Sequence, residues 1–266
     1  MSKISIICTV KNGEATIKNT IESVLSQTLR DWEFIIVDDG SIDRTVEILK
    51  DYKEIDERIK IIVTTGIGRG RALNLAVNNT KGIYVVNIDA DDLIHPNKLK
   101  LQYNVIKENP KYFLLSTDNQ FIYHNENIIW ENEKQKDIII EDITIKNLIK
   151  NQVDHSSVMI QKSMLLNIGG YAESRKSQFD YELWLRAAFK GYKLGKINKK
   201  LVAKRIHQNQ SFENKRFCHL IRSVRLQTYY ILKSKRVYLL ISPFARLILG
   251  VFPFRLRQKI NDSLGI

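Results

Sequence analysis

Cysteine is scarce in this 266-residue chain: Cys8 lies inside an apolar run, Cys218 is far away, and no C-x-x-C occurs. That excludes a disulfide framework and a cysteine-built zinc site, and points to a reducing compartment. No internal repeat and no low-complexity segment is present, which excludes a solenoid or a biased linker. The first apolar run, Ile4 to Val10, is too short for a signal-peptide core and lacks a small-residue cleavage site, so it reads as a first strand. The longest apolar stretch, Val237 to Phe254, is broken by Pro243 and Arg246 and falls short of the ~20 residues a membrane span needs.

Acidic residues are missing from one region. From Lys199 to Ile266 there are 15 Lys and Arg against 2 Asp and Glu, while the earlier residues carry 27 of each sign. The whole net charge of +13 therefore sits in the tail. No nucleic-acid motif accompanies it, so no nucleic-acid partner is expected. A basic amphipathic segment over residues 217–259, resting on an anionic membrane surface, fits the pattern better. The other reading is a pair of C-terminal helices packed on the domain with a solvated basic face.

What is present is a folded globular composition, 44% hydrophobic and 27% charged. Up to about residue 117, short apolar runs alternate with helical patterns, the signature of βαβ units and a mostly parallel sheet. The expected strands are Ile4 to Thr9, Glu33 to Val37, Lys60 to Thr64, Ile83 to Ile88 and Tyr112 to Ser116. Ile17, Ile21, Val24 and Leu25 fall at helical spacing, as do Leu73, Ala76 and Val77, and Leu99, Tyr103 and Ile106. In the less regular part that follows, Phe179 to Phe189 reads as a helix stopped at Gly191.

Ligands of open α/β sheets bind beyond the carboxyl ends of the strands, and the polar clusters fall at those ends. Thr9 follows the first strand, Asp38-Asp39-Gly40-Ser41 the second, Thr64-Thr65-Gly66 the third and Asp89-Ala90-Asp91-Asp92 the fourth. Three carboxylates in four residues repel one another unless they hold protons, lie in solvent or bind a hard cation such as Mg²⁺ or Mn²⁺. The glycines of Gly66-Ile67-Gly68-Arg69-Gly70-Arg71 fit neither the Walker pattern nor G-x-G-x-x-G. They suggest a loop over the ligand with Arg69 or Arg71 near phosphate.

The strings Ile4 to Gly13, Ser23 to Thr28, Glu33 to Ser41 and Asp89 to Asp92, with Gly169-Gly170-Tyr171 and Asp180 to Arg186 further on, together resemble glycosyltransferase family 2. The resemblance implies a GT-A fold, a nucleotide-sugar donor that is usually UDP-linked, a divalent metal (Mn²⁺ or Mg²⁺) and inversion at the anomeric carbon. It places Thr9, Val10, Asp39, Asp89 and Ala90 at the donor, with Asp39 accepting a hydrogen bond from the nucleobase. Asp91 is the expected metal ligand, helped by Asp89, and His207 resembles the family's histidine that reaches the metal or the diphosphate. Asp180 matches the position of the general base; where the family often has Glu-Asp this chain has Phe179-Asp180, which makes Glu182 a second candidate. His155 is placed at the acceptor pocket. Trp184 reads as core or as a ring for a sugar to stack on.

The expected organisation is a nucleotide-sugar half over residues 1–116, an acceptor half of the same domain over 117–210 and a basic helical tail over 211–266. The expected activity is transfer of a hexosyl or N-acetylhexosaminyl group to a hydroxyl of a glycan or lipid-linked acceptor, in cell-surface polysaccharide assembly. The expected location is the cytoplasm, on the inner face of the cell membrane. The alternatives are a sugar-phosphate nucleotidyltransferase, for which Lys11-Asn12-Gly13-Glu14 lacks the glycine-rich, arginine-bearing loop, and an inactive nucleotide-sugar binder at the membrane.

Overall fold

The computed structural model describes residues 3–123, 128–131, 137–206 and 216–251. The first strand, β1 (Ile4–Val10), shows how the core is built. Ile4, Ile6, Cys8 and Val10 face one side of the sheet and Ile7 the other, as the two-residue strand period requires. Both sides are covered, so the strand reads as a continuous apolar run. β2 (Trp32–Asp38) divides the same way: Trp32, Phe34 and Ile36 join the first side, Ile35 and Val37 the second.

One nine-stranded sheet runs in the order β3-β2-β1-β4-β8-β6-β9-β5, with β7 paired to β9. β3 (Ile59–Val63), β2, β1 and β4 (Tyr84–Asn87) are mutually parallel. β6 (Tyr112–Tyr123) and β9 (Lys193–Ile206) run parallel to each other, and β8 (Met159–Gln161) lies antiparallel between β4 and β6. β5 (Leu93–Ile94) and β7 (Ile140–Asp142) are short antiparallel partners of β9.

Helices α1 (Ile17–Leu25), α2 (Thr45–Ile55) and α4 (Lys98–Glu108) cover one face through Ile17, Ile21, Val24, Leu49, Leu99 and Ile106. The other face carries α3 (Arg69–Asn78), α5 (Thr144–Ile149), α6 (Lys162–Asn167), α7 (Phe179–Phe189) and α8 (Arg216–Lys233). α7 ends as expected, with Gly191 at φ +87° and the Tyr192 N–H returning to the Ala187 carbonyl at 3.0 Å. Leu226, Tyr230 and Ile231 of α8 are buried in the same core, so this part of the basic region packs on the domain. α9 (Ile241–Val251) follows. Among the described residues no helix is long and apolar enough to cross a membrane.

This order positions the site. β2 lies on one side of β1 and β4 on the other, so the strand order reverses beside β1, and open α/β sheets bind ligands at the carboxyl ends of such a point. In register Val10 stands beside Asp38, and Ile7 beside Asn87, so Thr9, Asp39 and Asp89 share one edge.

Candidate active site

At the end of β2 the Asp38 carboxylate accepts the N–H groups of Gly40 and Ser41 at 3.1 and 2.9 Å, which makes the turn and keeps it structural. Gly40 is required there: its φ is +81°, and a Cβ would stand 2.9 Å from the Gly66 nitrogen. The turn aims Asp39 at the loop before α3. Its carboxylate accepts from the Ile67 N–H at 2.7 Å, the Gly68 N–H at 3.0 Å and the Thr64 hydroxyl at 2.9 Å. The Asp39 N–H donates to the Val10 carbonyl at 2.8 Å. Val10 therefore contributes main chain with its side chain buried, while Thr9 is partly exposed at the crevice. Asp39 ties down the loop expected over the ligand.

α3 starts in that loop, so its first residue reaches the acidic cluster. The Arg69 guanidinium lies 2.5 Å from Asp89 Oδ1 and 5.8 Å from the ring centre of Phe179 at the start of α7. Arg71 points elsewhere, 3.7 Å from Glu173 with both side chains more than half exposed. Asp89 also accepts from Asn87 Nδ2 at 3.2 Å, and His155 Nδ1 lies 3.5 Å from it. Burial would raise the Asp89 pKa, but the Arg69 guanidinium and His155 outweigh it and hold the carboxyl well below the usual range. Asp92 behaves oppositely. Burial, then the charges of Asp91 and Asp89, push its carboxyl well above the usual range, although Ser156 Oγ donates to it at 2.5 Å. The Arg205 N–H donates to the other Asp92 oxygen at 3.2 Å, and Arg205 Nε to the Asp91 carbonyl at 3.2 Å. The Ala90 carbonyl is fixed by the hydroxyls of Thr16 and Thr20 at 2.9 and 3.0 Å, so Ala90 also serves through main chain.

Asp180 is the second residue of α7 and partly buried. It directly follows Phe179, whose ring centre is 5.8 Å from the Arg69 guanidinium that pairs with Asp89, so it stands near the Asp89 cluster. Its carboxylate makes no hydrogen bond or ion pair with any described residue.

Three expectations are corrected by burial and pairing. Glu182 is 7% exposed and its oxygens take Arg186 Nε and Nη2 at 2.9 and 3.0 Å and the Tyr230 hydroxyl at 2.7 Å, leaving no base for the crevice. Trp184 is fully buried against Phe113 and His155, so it presents no face to a sugar. His155 is 6% exposed, with Nε2 against the Tyr171 hydroxyl at 2.9 Å, and supports Asp89 rather than lining an acceptor pocket. His207 lies outside the described residues, as do residues 252–259 of the tail.

The sequence reading missed Ser156, which joins Asp92 to the Asp89 N–H (3.0 Å), and Asn74, whose amide clamps both main-chain groups of Tyr171 at 2.8 and 2.9 Å. The signals were present, Ser156 directly after His155 and Asn74 in Ala72-Leu73-Asn74, but neither carries charge.

The fit of a divalent metal rests on the donor set. Asp89 and Asp91 offer hard carboxylate oxygens, with Asp92 directly beside them in the chain. Among the described residues no group of three or more His, Cys, Asp or Glu is arranged around one ion position. One or two carboxylates with substrate phosphates are the usual Mg²⁺ arrangement, and these residues meet it.

Comparison with known proteins agrees with this geometry. An uncharacterised glycosyltransferase of Methanocaldococcus jannaschii is 32% identical over 231 residues, 86% of this chain and 77% of that protein. Among solved structures, S. aureus TarS 1-349 in complex with UDP-GlcNAc superposes with a TM-score of 0.72 at 19% identity, covering 92% of this chain and 72% of that one. The mannosyltransferase PcManGT from Pyrobaculum calidifontis, in complex with GDP-Man and Mn²⁺, gives 0.64 at 15%, covering 99% and 79%. These likenesses show the GT-A fold. Residues 5–165 match the sequence model of Glycosyl transferase family 2, and the chain belongs to that family.

Proposed function

We propose that this glycosyltransferase moves a sugar from a UDP-linked donor to a hydroxyl of a glycan acceptor in one inverting displacement, with Asp180 as the general base. The observation that carries the reading is the Asp180 carboxylate, unpaired among the described residues and beside the Arg69–Asp89 pair at the sheet's ligand edge. A base must stand free to take the acceptor proton, and a carboxylate held by an arginine would not. Family membership speaks against the nucleotidyltransferase alternative.

The donor would lie across the ends of β1, β2 and β4, its base near Asp39 and Thr9 and its diphosphate near Arg69. TarS, with its UDP-GlcNAc complex, supports a UDP-sugar, and PcManGT, with Mn²⁺, a divalent cation. Asp91 would hold that cation with Asp89, whose Oδ1 is engaged by Arg69 and Asn87, in support. When bound, the ion supplies Lewis-acid stabilisation of the departing diphosphate. Ser156 and the Arg205 N–H hold the Asp92 carboxylate, His155 stands against that of Asp89, and Arg205 Nε fixes the Asp91 carbonyl. Calorimetry with UDP tests the reading: binding should need Mn²⁺ and fall tenfold or more in Asp91→Ala. Metal-independent binding that survives this change would refute it.

Peripheral membrane contact remains part of the proposal. Tyr229, Leu232, Val237, Tyr238, Ile241 and Phe244 are exposed apolar groups beside Lys233, Lys235 and Arg236. This pairing suits the headgroup boundary of an anionic membrane. Flotation with anionic liposomes should lose binding when Tyr238 and Phe244 are both changed to Ser; equal flotation would remove the membrane from the account.

A further inference from the structure

Between the loop before α7 and the face of α8 lies a cleft of about 440 Å³ that the reaction described above does not use. Arg175 of the loop and Arg222 and Arg225 of α8 line it, with Tyr229, Tyr230 and Glu182. Arg222 and Arg225 are three residues apart and so share one side of their helix. Among the described residues no carboxylate pairs with these cations. Glu182, the carboxylate of the cleft, is already held on both oxygens by Arg186. Arg175 donates to the Ser177 carbonyl at 3.4 Å and Arg222 to the Ser177 hydroxyl at 3.0 Å, both neutral acceptors. Arg175, Arg222 and Arg225 form no ion pair with any described residue.

We propose that this cleft binds a phosphate group carried by the sugar acceptor, away from the hydroxyl that reacts. The inference rests on the transferase reading and names its acceptor class. Guanidinium forks match phosphate oxygens, and a doubly charged group answers three cations better than a single carboxylate does. The volume exceeds what a phosphate needs and leaves room for the sugar or polyol bearing it, beside the Tyr229 ring, which is 53% exposed. The position also fits. Arg222 meets the Ser177 hydroxyl and Gln178 donates to the His219 carbonyl at 2.9 Å, so the cleft adjoins the N-terminal end of α7 that carries Asp180. A grip there acts equally in the ground and transition states, so it governs KM for the acceptor rather than kcat.

Glycerol 3-phosphate, a soluble phosphomonoester, is a suitable probe for an NMR titration of the full chain. Wild type should bind it, and the double variant Arg222→Gln/Arg225→Gln should bind about tenfold more weakly or worse. Lys53→Gln, an exposed charge on α2, should leave binding unchanged, and all three proteins should bind UDP equally. Equal phosphate binding by wild type and the double variant, or an equal loss in Lys53→Gln, overturns the proposal. Arginine-dependent binding to phosphatidylglycerol vesicles with no response to glycerol 3-phosphate overturns it as well, assigning the charge to the membrane. If UDP fails to bind while the phosphate titration behaves as stated, the anion site stands and the UDP-donor reading alone falls.

Discussion

The edge formed by β1, β2 and β4 and the packed region around α7 and α8 hold their carboxylates by different means. At the edge, main-chain groups take part in holding three carboxylates, Asp38 through the N–H of Gly40 and Ser41, Asp39 through those of Ile67 and Gly68 and Asp92 through that of Arg205, while Asp89 meets the side chains of Arg69, Asn87 and His155. In the packed region, Glu182 is held by the side chains of Arg186 and Tyr230, and Asp180 by none that the structure describes. Main-chain donors fix those three carboxylates without adding a counter-charge, whereas the Arg69 guanidinium offsets the charge of Asp89 beside them. Side-chain pairing neutralises the acid and makes it part of the core. A residue's function here follows from which kind of partner it has.

The sharpest test separates the two acids of α7. Asp180→Asn should cut kcat by about a thousandfold or more, with UDP-sugar affinity near wild type, as expected when a general base is lost. Retained turnover would break the assignment. Glu182→Gln should show the reverse. It leaves the Arg186 guanidinium short of its counter-charge in a buried site, at a cost of roughly 3–5 kcal/mol in denaturant unfolding. Turnover per folded molecule should stay within about threefold. If Glu182→Gln stays stable and loses turnover, the division between edge and packed region fails.

The same difference explains what was legible in the sequence. Asp38, Asp39 and Gly40 act on neighbours in the chain or on the next loop, so a turn signature after an apolar run reveals them. The strands β1 to β4 came through to within a residue or two for the same reason, since each is a local apolar run. Glu182 was misread because Tyr230, 48 residues away, decides its fate. Trp184 sits on a largely apolar helix between Leu183 and Leu185, and the packing of Phe113 and His155 shows that its ring is enclosed. The antiparallel insertion of β8 between β4 and β6 was equally hidden, since no local pattern records which strand pairs with which.

Lys98 contrasts with both groups of carboxylates, as a buried charge that neither main chain nor side chain meets among the described residues. It opens α4 fully buried, its Nζ has no hydrogen-bond partner, and burial pushes its pKa down from 10.5 to about 7. A positive charge at a helix N-terminus is disfavoured as well. The folded pKa lies below the unfolded one, so between pH 7 and 10.5 the unfolded chain binds a proton that the folded chain does not. Stability therefore rises with pH across that window, and the penalty is complete at and below pH 7. The interval caps the effect at about 5 kcal/mol, and an uncompensated polar group typically costs about 1–3 kcal/mol in practice. Lys98→Met should accordingly stabilise the protein by that smaller amount at pH 7, with the advantage shrinking toward pH 10 in paired unfolding curves. A constant difference at both pH values would mean that Lys98 stays charged and partnered in solution.

Arg71→Gln should have the smallest effect, and its value lies in the contrast with Arg69. Both residues belong to the first turn of α3, but only Arg69 reaches Asp89, whereas Arg71 meets Glu173 at 3.7 Å with the two side chains 63% and 51% exposed. An exposed pair of that kind is worth about 0–1 kcal/mol, so unfolding should shift by less than about 0.5 kcal/mol. Donor KM should stay within about twofold, while Arg69→Gln should raise it tenfold or more by removing a charge-assisted contact. Equal losses from the two variants would mean that the general positive charge of α3, rather than the guanidinium fixed on Asp89, attracts the diphosphate. The edge would then be selecting its ligand by field alone, and the placing of its carboxylates by main-chain groups would matter less than their number.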